Sequence, residues 1–337
     1  MNICVIGVGR MGRRHISAAQ GLGFQVTGIH DADAESLRIA EIENGISHEL
    51  VFDTAEEMLK TVRPNGVVIS TTSPSHCDYV CLAASVGIKY ILCEKPMASS
   101  IAECDQMIEA CSRADSVLAI NHQMRFMEQF RRVKPLCESP QFGGVRSVTV
   151  AASNFGLAMN GSHYFEMFRY VAGSQLTEVS FMRDAGQVMN PRGAQFEDHS
   201  GQLFARNSEG QRLYMEIGGD QGHGVHIVYG CRLGQIFLDE LSGYVRAVAR
   251  KEEFRDLPTT RYGMPGDEKD LRLEPADVIV ATQDVWMSMI EGADFPDGLC
   301  GRHTVEALVA ANLSGESMGK WLSINGALPR ERIFGWA

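Results

Sequence analysis

A glycine-rich turn near the start of the sequence most constrains the fold. The stretch ICVIGVGRMGRRH holds Gly7, Gly9 and Gly12 in the spacing G-x-G-x-x-G, between a predicted strand and a predicted helix. Gly7 permits a tight turn, Gly9 lets the backbone approach a pyrophosphate, and Gly12 lets helix and strand pack closely. The N-terminus of the helix, at Arg10 and Met11, would face the anion. A glycine turn that binds nothing is the alternative.

An acidic residue follows at the end of the second predicted strand. Asp31 lies 19 residues after Gly12, a spacing at which a carboxylate accepts hydrogen bonds from the adenosine ribose hydroxyls of a dinucleotide. A carboxylate there repels a 2′-phosphate, and residues 32–34 supply no arginine to offset the repulsion. NAD is therefore the favoured cofactor. NADP stays open because Arg38 could swing in from the next helix.

The first 120 residues alternate short apolar runs with segments of helical length. The predicted strands are 3–6, 25–30, 67–70, 89–93 and 117–120, and the predicted helices are 12–22, 34–43, 54–61, 75–86 and 99–112. Ser75 is expected to cap its helix and Gly87 to follow the end of it. Near-continuous apolar strands alternating with helices are typical of a parallel sheet covered on both faces. Residues 1–120 are thus predicted to form a doubly wound α/β domain of the Rossmann dinucleotide-binding type.

The pattern changes after about residue 120, and 337 residues exceed what one hydrophobic core usually serves. Helices are predicted at 124–137, 162–171, 276–290 and 303–318, and a strand at 145–153. Between 178 and about 250, runs such as RLYMEIGG, VHIVYG and GQIFLDEL alternate with period two, which indicates an antiparallel sheet. Residues 252–273 are charged and contain proline and glycine, so a surface excursion is expected. Residues 121–337 are therefore expected to form a second domain, for substrate binding and oligomerisation.

Composition argues against several classes of protein. The net charge is −11 and the pI about 5.4, whereas a nucleic-acid groove would need a basic stripe. No apolar run is long enough to span a bilayer, and the start, MNICVIGVGR, lacks the regions of a signal peptide. The nine cysteines include no C-x-x-C pair, which favours buried free thiols in a reducing compartment. A cytoplasmic protein without a nucleic-acid or membrane partner is expected.

The run ILCEKP places Glu94, Lys95 and Pro96 directly behind an apolar strand. This strand is expected to be the fifth of the dinucleotide fold, so that Lys95 lies at the carboxyl edge of the sheet, where ligands bind. Pro96 would end the strand and fix the backbone. A partly desolvated lysine beside a cationic nicotinamide should have a lowered pKa, which suits proton transfer. The alternative is a surface lysine paired with Glu94.

Five motifs spread over nearly the whole chain strengthen this interpretation: GVGRMGRRH, STTSPSHCDYVCLAASVGIKYILCEKPMA, NHQMRF, NGSHYFEMFRYVAG and YGCRLGQIF. In combination they resemble the glucose-fructose oxidoreductase, inositol dehydrogenase and rhizopine catabolism (Gfo/Idh/MocA) family. The resemblance implies a Rossmann domain followed by an α/β domain with a large open, mostly antiparallel sheet. It also implies homodimers or homotetramers packed through that sheet.

The resemblance further assigns residues to the cofactor. It implies that Lys95 lies beside the nicotinamide, that the Lys95–Pro96 peptide is often cis, and that residues 70–73 and His76 line the cofactor cleft. Asn121 lies where the chain crosses into the second domain, as a candidate cofactor contact. The expected cofactor-binding residues are Gly7, Gly9, Arg10, Met11, Gly12, Asp31, Thr71, Thr72, Ser73, Pro74, His76, Glu94, Lys95, Pro96 and Asn121.

The family's second motif is an Asp and, four residues later, a His on a helix of the second domain. His163 in NGSHYFE fits the histidine, but Met159 stands where many sugar and polyol dehydrogenases of the family carry Asp. A Lys/Asp/His triad is therefore not expected. Asn160 could supply a neutral polar contact to a substrate. Glu166 could supply a carboxylate, unless it pairs with Arg169.

The expected catalytic residues come one from each domain. Lys95 is the first choice as acid/base, and His163 is the substrate-orienting partner and the second choice for the proton. Arg125 in NHQMRF is a candidate substrate contact or a brace of the interdomain hinge. The leading interpretation is an NAD(P)-dependent oxidoreductase that exchanges hydride with a sugar, amino sugar or nucleotide-linked sugar. The alternatives are a reductase of a non-sugar ketone or imine, and a non-catalytic cofactor-binding sensor.

Asp220, His223 and His226 lie close together in sequence and raise the question of a metal site. Positions three apart on a strand face opposite sides of the sheet, so the two histidines would not converge. No metal is expected, and the glycines around these residues indicate a hairpin turn.

Overall fold

The computed structural model describes residues 1–153, 155–220, 222, 224–258 and 261–337. The elements up to residue 126 are β1 (Asn2–Ile6), α1 (Arg10–Gly21), β2 (Gln25–His30), α2 (Ala34–Asn44), α3 (Ala55–Val62), β3 (Gly66–Ile69), α4 (His76–Ser85), β4 (Tyr90–Cys93), α5 (Ile101–Arg113) and β5 (Val117–Ile120). The later ones are α6 (Glu128–Glu138), β6 (Val145–Ser153), α7 (Ser162–Ala172), β7 (Leu176–Gln187), β8 (His199–Asn207), β9 (Arg212–Gly218), β10 (Val225–Cys231), β11 (Gly234–Asp239), β12 (Tyr244–Arg250), β13 (Gly266–Arg272), α8 (Val278–Glu291), α9 (Gly298–Glu316) and β14 (Leu322–Ser323).

The chain divides into two compact units, each built from more than one segment. The first comprises Met1–Phe126, Asp277–Glu306 and Pro329–Ala337, and the second comprises Met127–Ala276 and Ala307–Leu328. This division differs from the expected single boundary after residue 120. The physical reason is that α8 carries three apolar side chains into the core of the first unit: Val285, Trp286 and Met289.

The first unit contains a five-stranded sheet in the order β2-β1-β3-β4-β5, with every pair parallel. The strands β1, β3 and β4 are almost wholly buried, as their near-continuous apolar runs predict. The doubly wound α/β prediction is confirmed. The strand before Glu94 is β4, the fourth along the chain and across the sheet, and not the expected fifth.

The start of α4 differs from the expected cap. Ser75 is the residue before the helix, but its side chain makes no capping hydrogen bond to the helix backbone. Its hydroxyl oxygen lies instead 2.8 Å from Thr71 Oγ1 and 3.0 Å from the Thr72 carbonyl oxygen, and its one hydrogen is available to these two acceptors. These bonds close the 3₁₀ turn Ser73–Ser75 that precedes the helix. Gly87 follows the end of α4 with a positive φ of 79°, as expected.

The second unit contains a nine-stranded sheet in the order β13-β12-β11-β10-β6-β9-β8-β7-β14. All neighbours are antiparallel except β6 and β9, so the prediction of a large, mostly antiparallel sheet is confirmed. The expected surface excursion at 252–273 is wrong for its last part, because β13 pairs with β12 from Gly266 to Arg272. Edge strands have only one neighbour, and β13 is mostly exposed.

One face of this sheet and the helix α7 form the core of the second unit. Val148, Val150 and Ala152 on β6 are buried at every second position. The helix α7 is buried nearly all round from Ser162 to Phe168.

Among the described residues, no helix combines the length and the apolar character that a membrane span requires.

Candidate functional site

The carboxyl ends of the parallel strands gather most of the expected cofactor-binding residues at one edge of the first sheet. The glycine turn follows β1, Asp31 follows β2, the Thr71 segment follows β3, Lys95 follows β4 and Asn121 follows β5. Parallel strands end at the same edge, and ligands of open α/β sheets bind there. Arg10 and Pro74 are exposed, Gly9, Met11, Asp31, Thr71 and Thr72 are half-buried, and Gly7, Gly12, Ser73, His76, Glu94, Lys95, Pro96 and Asn121 are buried.

The three glycines have different surroundings. Gly7 has φ +85°, and a Cβ there would lie 2.7 Å from Thr71 N. A Cβ on Gly12 would lie 2.0 Å from the Gly7 carbonyl oxygen, so this glycine permits close packing of α1 on the turn. A Cβ on Gly9 would meet nothing within 4 Å. Among the described residues no side chain caps α1, which leaves its first N–H groups available to an anion.

The Asp31 carboxylate is fixed by two backbone amides. Val8 N donates to Oδ2 at 2.6 Å, and Asp33 N donates to Oδ1 at 2.9 Å. Each oxygen keeps a further lone pair, which a ribose hydroxyl could use. Arg38 makes a two-pronged ion pair with Glu35, at 2.8 and 2.6 Å. It is therefore engaged on its own helix.

Tyr79 on α4 is a neighbour of Asp31 that the sequence analysis missed. Partial burial, and then the charge of Asp31, raises the pKa of the Tyr79 phenol. The available signal was its position three residues after His76 on one face of a helix. It is an additional candidate for the adenosine end of a dinucleotide.

His76 ties the segment after β3 to the one after β4. Its Nδ1 lies 3.0 Å from the Pro96 carbonyl oxygen, and its Nε2 lies 3.3 Å from the Thr71 carbonyl oxygen. The Lys95–Pro96 peptide is cis, as the resemblance implied. The backbone around Lys95 is therefore linked to the Thr71 segment.

The last residues of the chain brace the same two segments, which the sequence analysis did not anticipate. The Ser73 hydroxyl donates to the Trp336 carbonyl at 2.8 Å, and Trp336 Nε1 donates to the Ala98 carbonyl at 3.0 Å. The rings of Phe334 and Trp336 stack with centroids 4.8 Å apart. Two aromatic residues within the last four, FGWA, were the only sequence signal.

A buried carboxylate lies directly behind Lys95. Glu94 is 1% exposed and Lys95 8%, so the alternative of a surface ion pair is wrong. Glu94 Oε1 lies 2.7 Å from His15 Nε2 and accepts a hydrogen bond from Asn121 Nδ2 at 2.8 Å, and Oε2 accepts from Lys95 N at 3.2 Å. Burial by itself would raise the pKa of Glu94, but His15, Lys95 and Asn121 outweigh it and hold that pKa well below its usual range. Glu94 is therefore an anion at neutral pH.

Arg125 is buried and lies 3.3 Å from Asp294, with its guanidinium over the ring of Phe126. Both neighbours belong to the first unit. These contacts support a bracing role for this arginine within that unit.

The other expected residues lie in the second unit, around the start of α7. A π-helical turn, Leu157–Gly161, contains Met159 and Asn160, both half-buried, and His163 follows in the first turn of α7 with 8% exposure. Glu166 accepts hydrogen bonds from Arg169 Nε at 2.6 Å and from Arg169 Nη2 at 2.8 Å. Both Glu166 oxygens contact Arg169, which favours the packing alternative.

Asp198 is a carboxylate beside this turn that the sequence analysis missed. It is 3% exposed. Its Oδ1 accepts from Ala158 N and its Oδ2 from Met159 N, both at 2.8 Å. A Cβ on Gly156 would lie 2.1 Å from Asp198 Cγ, so a glycine is needed for this approach. The Asp198 carboxylate thus binds the backbone at Met159, the position where the resemblance implied an Asp side chain.

Among the described residues, no three His, Cys, Asp or Glu side chains come together as a metal-ligand set. Of the group considered from sequence, Asp220 and His226 are described. His223 lies outside the described residues. The expected hairpin is wrong, because the flanking strands β9 and β10 lie on opposite sides of β6 and both pair with it.

Residues 1–122 match the model of an oxidoreductase family with an NAD-binding Rossmann fold, Gfo/Idh/MocA. This match covers the glycine turn, Asp31 and the Glu94-Lys95-Pro96 segment. The match ends at residue 122 of 337, so it concerns the NAD-binding part of the chain. Met159 lies outside this match, at the position where the resemblance implied an acid.

Two relatives of this chain carry the same type of name. An inositol 2-dehydrogenase of Serratia proteamaculans is 25% identical over 336 residues, which cover 94% of this chain and 95% of the relative. A myo-inositol 2-dehydrogenase of Thermotoga maritima is 25% identical over 192 residues, or 53% of this chain. That second match spans only 57% of the relative's length.

Solved structures share the fold of both units. An oxidoreductase of Agrobacterium radiobacter, in complex with NAD+, L-tartaric acid and magnesium, superposes with a TM-score of 0.80. It is 17% identical, and the match covers 96% of this chain and 98% of that one. At this identity the likeness concerns the fold alone.

Proposed function

We propose that this protein is an NAD-dependent dehydrogenase of the Gfo/Idh/MocA type that acts on a carbinol, or the corresponding carbonyl, of a carbohydrate-type substrate. One observation carries the proposal. Lys95 lies at the same sheet edge as the glycine turn and Asp31, on a backbone fixed by His76 and Glu94. The carbohydrate part rests on the two relatives named inositol dehydrogenases. Polyols, sugars, amino sugars and nucleotide-linked sugars are the candidate substrates.

The residues at this edge fit a nicotinamide dinucleotide. Gly9 borders open space, and the first turn of α1 has no side-chain cap. Asn121 Oδ1 is buried and accepts no hydrogen bond from the described residues, so a polar group of the cofactor could complete it. When bound, the nicotinamide would supply hydride exchange with the substrate carbon. NAD is preferred over NADP because the side chain of Asp31 stands where a 2′-phosphate would lie and Arg38 is held by Glu35.

Lys95 and His163 receive distinct roles. Lys95 would move the substrate hydroxyl proton, since it is a nearly buried amine at the ligand edge of the sheet. His163 would orient a substrate hydroxyl, with Asn160 as a neutral contact in the preceding turn. Glu166 is not assigned to the substrate, because Arg169 occupies both of its oxygens.

The proposal is tested by following nicotinamide absorbance with NAD(H) and NADP(H) across inositols, free sugars, amino sugars and nucleotide sugars. The wild type should turn over at least one of these with NAD, and Lys95→Met should lose about a hundredfold or more, the usual scale of acid/base contributions. Lys89→Met is the matched control, because Lys89 lies just before the opposite end of the same strand and pairs with Asp115. If the protein binds NAD tightly but turns over none of these substrates, the proposal is overturned and the cofactor-binding sensor is favoured.

We also propose that the protein forms a homodimer or homotetramer through the nine-stranded sheet. The face of this sheet opposite the core exposes apolar side chains, including Phe204 and Met182. Light scattering of the wild type should give the mass of two or four chains, and Phe204→Asp should lower it. A monomeric wild type would contradict this. None of the nine cysteines forms a disulfide bond in the described part of the chain, which supports a reducing compartment such as the cytoplasm.

A further inference from the structure

We propose that Glu94 is a positioning residue that keeps Lys95 protonated and aligned in the cofactor-free enzyme, and that His15 fixes Glu94 in this role. The inference rests on the proposed function, because it concerns the lysine to which that function assigns the proton. The sequence analysis expected a lowered pKa for Lys95 beside the nicotinamide. For the cofactor-free protein we expect the opposite, a pKa that is not lowered. His15 and Glu94 then act through Lys95 and do not touch the substrate.

Glu94 makes contacts with three neighbouring groups through its carboxylate. Its carboxylate is held from three elements of the first unit: by His15 on α1, by Asn121 after β5, and by the backbone amide of Lys95 itself. Its own amide donates to the Ile69 carbonyl at the end of β3. His15, Glu94 and Asn121 are each 0–1% exposed. The cluster therefore fixes the backbone position from which the Lys95 side chain starts.

The charges of the cluster favour a protonated lysine. Glu94 is anionic, and the charge of Lys95 is one of the causes that keep it so. The interaction is reciprocal, because two groups that couple shift each other's titration by the same free energy. The other titratable groups here are His15, the Cys93 thiol and, through Pro96, His76. Burial and then Glu94 raise the pKa of Cys93, so this thiol stays neutral. In the cofactor-free state Glu94 is thus an anion that interacts with Lys95.

His15 has an unusual environment that fits a positioning role. Its Nε2 lies 2.7 Å from Glu94, while its buried Nδ1 has no hydrogen-bond partner among the described residues. Because the Glu94 carboxylate only accepts hydrogen bonds, Nε2 carries the hydrogen of this contact. The ring therefore works as a donor to Glu94. A glutamine amide can reproduce that donor, whereas alanine cannot.

The first test needs neither cofactor nor substrate. The chain has seven lysines, so protein labelled with ¹³C at lysine Cε gives few signals, and the signal lost in Lys95→Arg is that of Lys95. We expect the pKa of wild-type Lys95 to be near or above the ordinary lysine value of about 10.4. The side chain should then still be protonated at about pH 9. In Glu94→Gln the pKa of Lys95 should fall by about 1 unit or more. A wild-type pKa below about 9, or an unchanged pKa in folded Glu94→Gln, would overturn the inference.

The second test separates positioning from simple support of the fold. His15→Ala should lower kcat by about tenfold or more with KM nearly unchanged, because a misaligned proton donor costs rate rather than binding. His15→Gln should recover most of that loss. His303→Ala is the matched control, since His303 is a buried histidine that faces Glu306 in the same unit. Equal losses in His15→Gln and His15→Ala would overturn the role of His15. If no substrate is turned over by the wild type, the proposed function fails, and the lysine titration still decides whether Glu94 controls Lys95.

Discussion

Replacing Gly9 by alanine separates cofactor binding from folding. Gly9 has φ −60° and ψ −166°, which alanine adopts without strain. A Cβ there would meet no atom within 4 Å, so the free energy of unfolding should change by less than about 1 kcal/mol. The same methyl group would project into the space where a pyrophosphate must approach the backbone. We expect the Kd for NAD to rise about tenfold or more, or about 1.4 kcal/mol of binding free energy.

Gly12→Ala is the matched control in the same motif. A Cβ on Gly12 would lie 2.0 Å from a carbonyl oxygen of the turn, and overpacking of this kind costs about 1–3 kcal/mol of stability or more. Thermal unfolding of the ligand-free variants and calorimetric titration with NAD measure the two effects separately. If Gly9→Ala stays folded and binds NAD as tightly as the wild type, the turn does not serve the cofactor as argued.

Two further predictions concern the second unit. Asp198→Ala leaves the Ala158 and Met159 amides without their acceptor and should lower the free energy of unfolding by about 2 kcal/mol or more, measured by urea unfolding. Glu240 accepts a hydrogen bond from the Tyr164 hydroxyl at 2.8 Å, and burial raises its pKa from 4.5 to about 7. Between these values the folded state holds a proton that the unfolded state has lost, so stability falls as the pH rises through this window. We place this loss of stability at about 2 kcal/mol, because Glu240 is partly exposed. Glu240→Gln should remove the loss. Urea unfolding at pH 4.5 and pH 7.5 measures it.

Both predictions have outcomes that would contradict them. Asp198→Asn keeps one carboxamide oxygen and should lose less stability than the alanine variant. An equal loss would mean that the two amide contacts do not carry the effect. For Glu240, equal pH dependence in the wild type and in Glu240→Gln would show that this carboxyl ionises at an ordinary pKa.

The first unit could be predicted from sequence because its signals are local. Apolar runs define β1, β3 and β4, the glycine turn needs its three glycines for steric reasons, and Asp31 has a fixed place at the end of β2. Each of these features lies within one strand–turn–helix segment. The residues that the sequence analysis missed depend on contacts between distant segments.

The missed elements show why pattern alone was insufficient. Trp336 reaches Ser73 over 263 residues of sequence, and Asp198 reaches Met159 over 39, and no local periodicity reports such contacts. The strand β13, with the sequence GDEKDLR, has almost no apolar alternation because both of its faces are largely exposed at the edge of the sheet. The helix α8 belongs to the first unit because Trp286 is buried in the core of that unit. A helical pattern predicts which face of a helix is buried, but not which of two cores buries it.

The most direct measurement follows the label from a substrate deuterated at its carbinol carbon. The protein is incubated with NAD+ and each deuterated inositol or sugar, and the reduced cofactor is analysed by mass spectrometry. We expect one deuterium in each NADH formed by the wild type, and about a hundredfold less deuterated NADH from Lys95→Met over the same time. A wild type that binds NAD+ but transfers no deuterium from any of these substrates would contradict the assignment as a carbohydrate dehydrogenase.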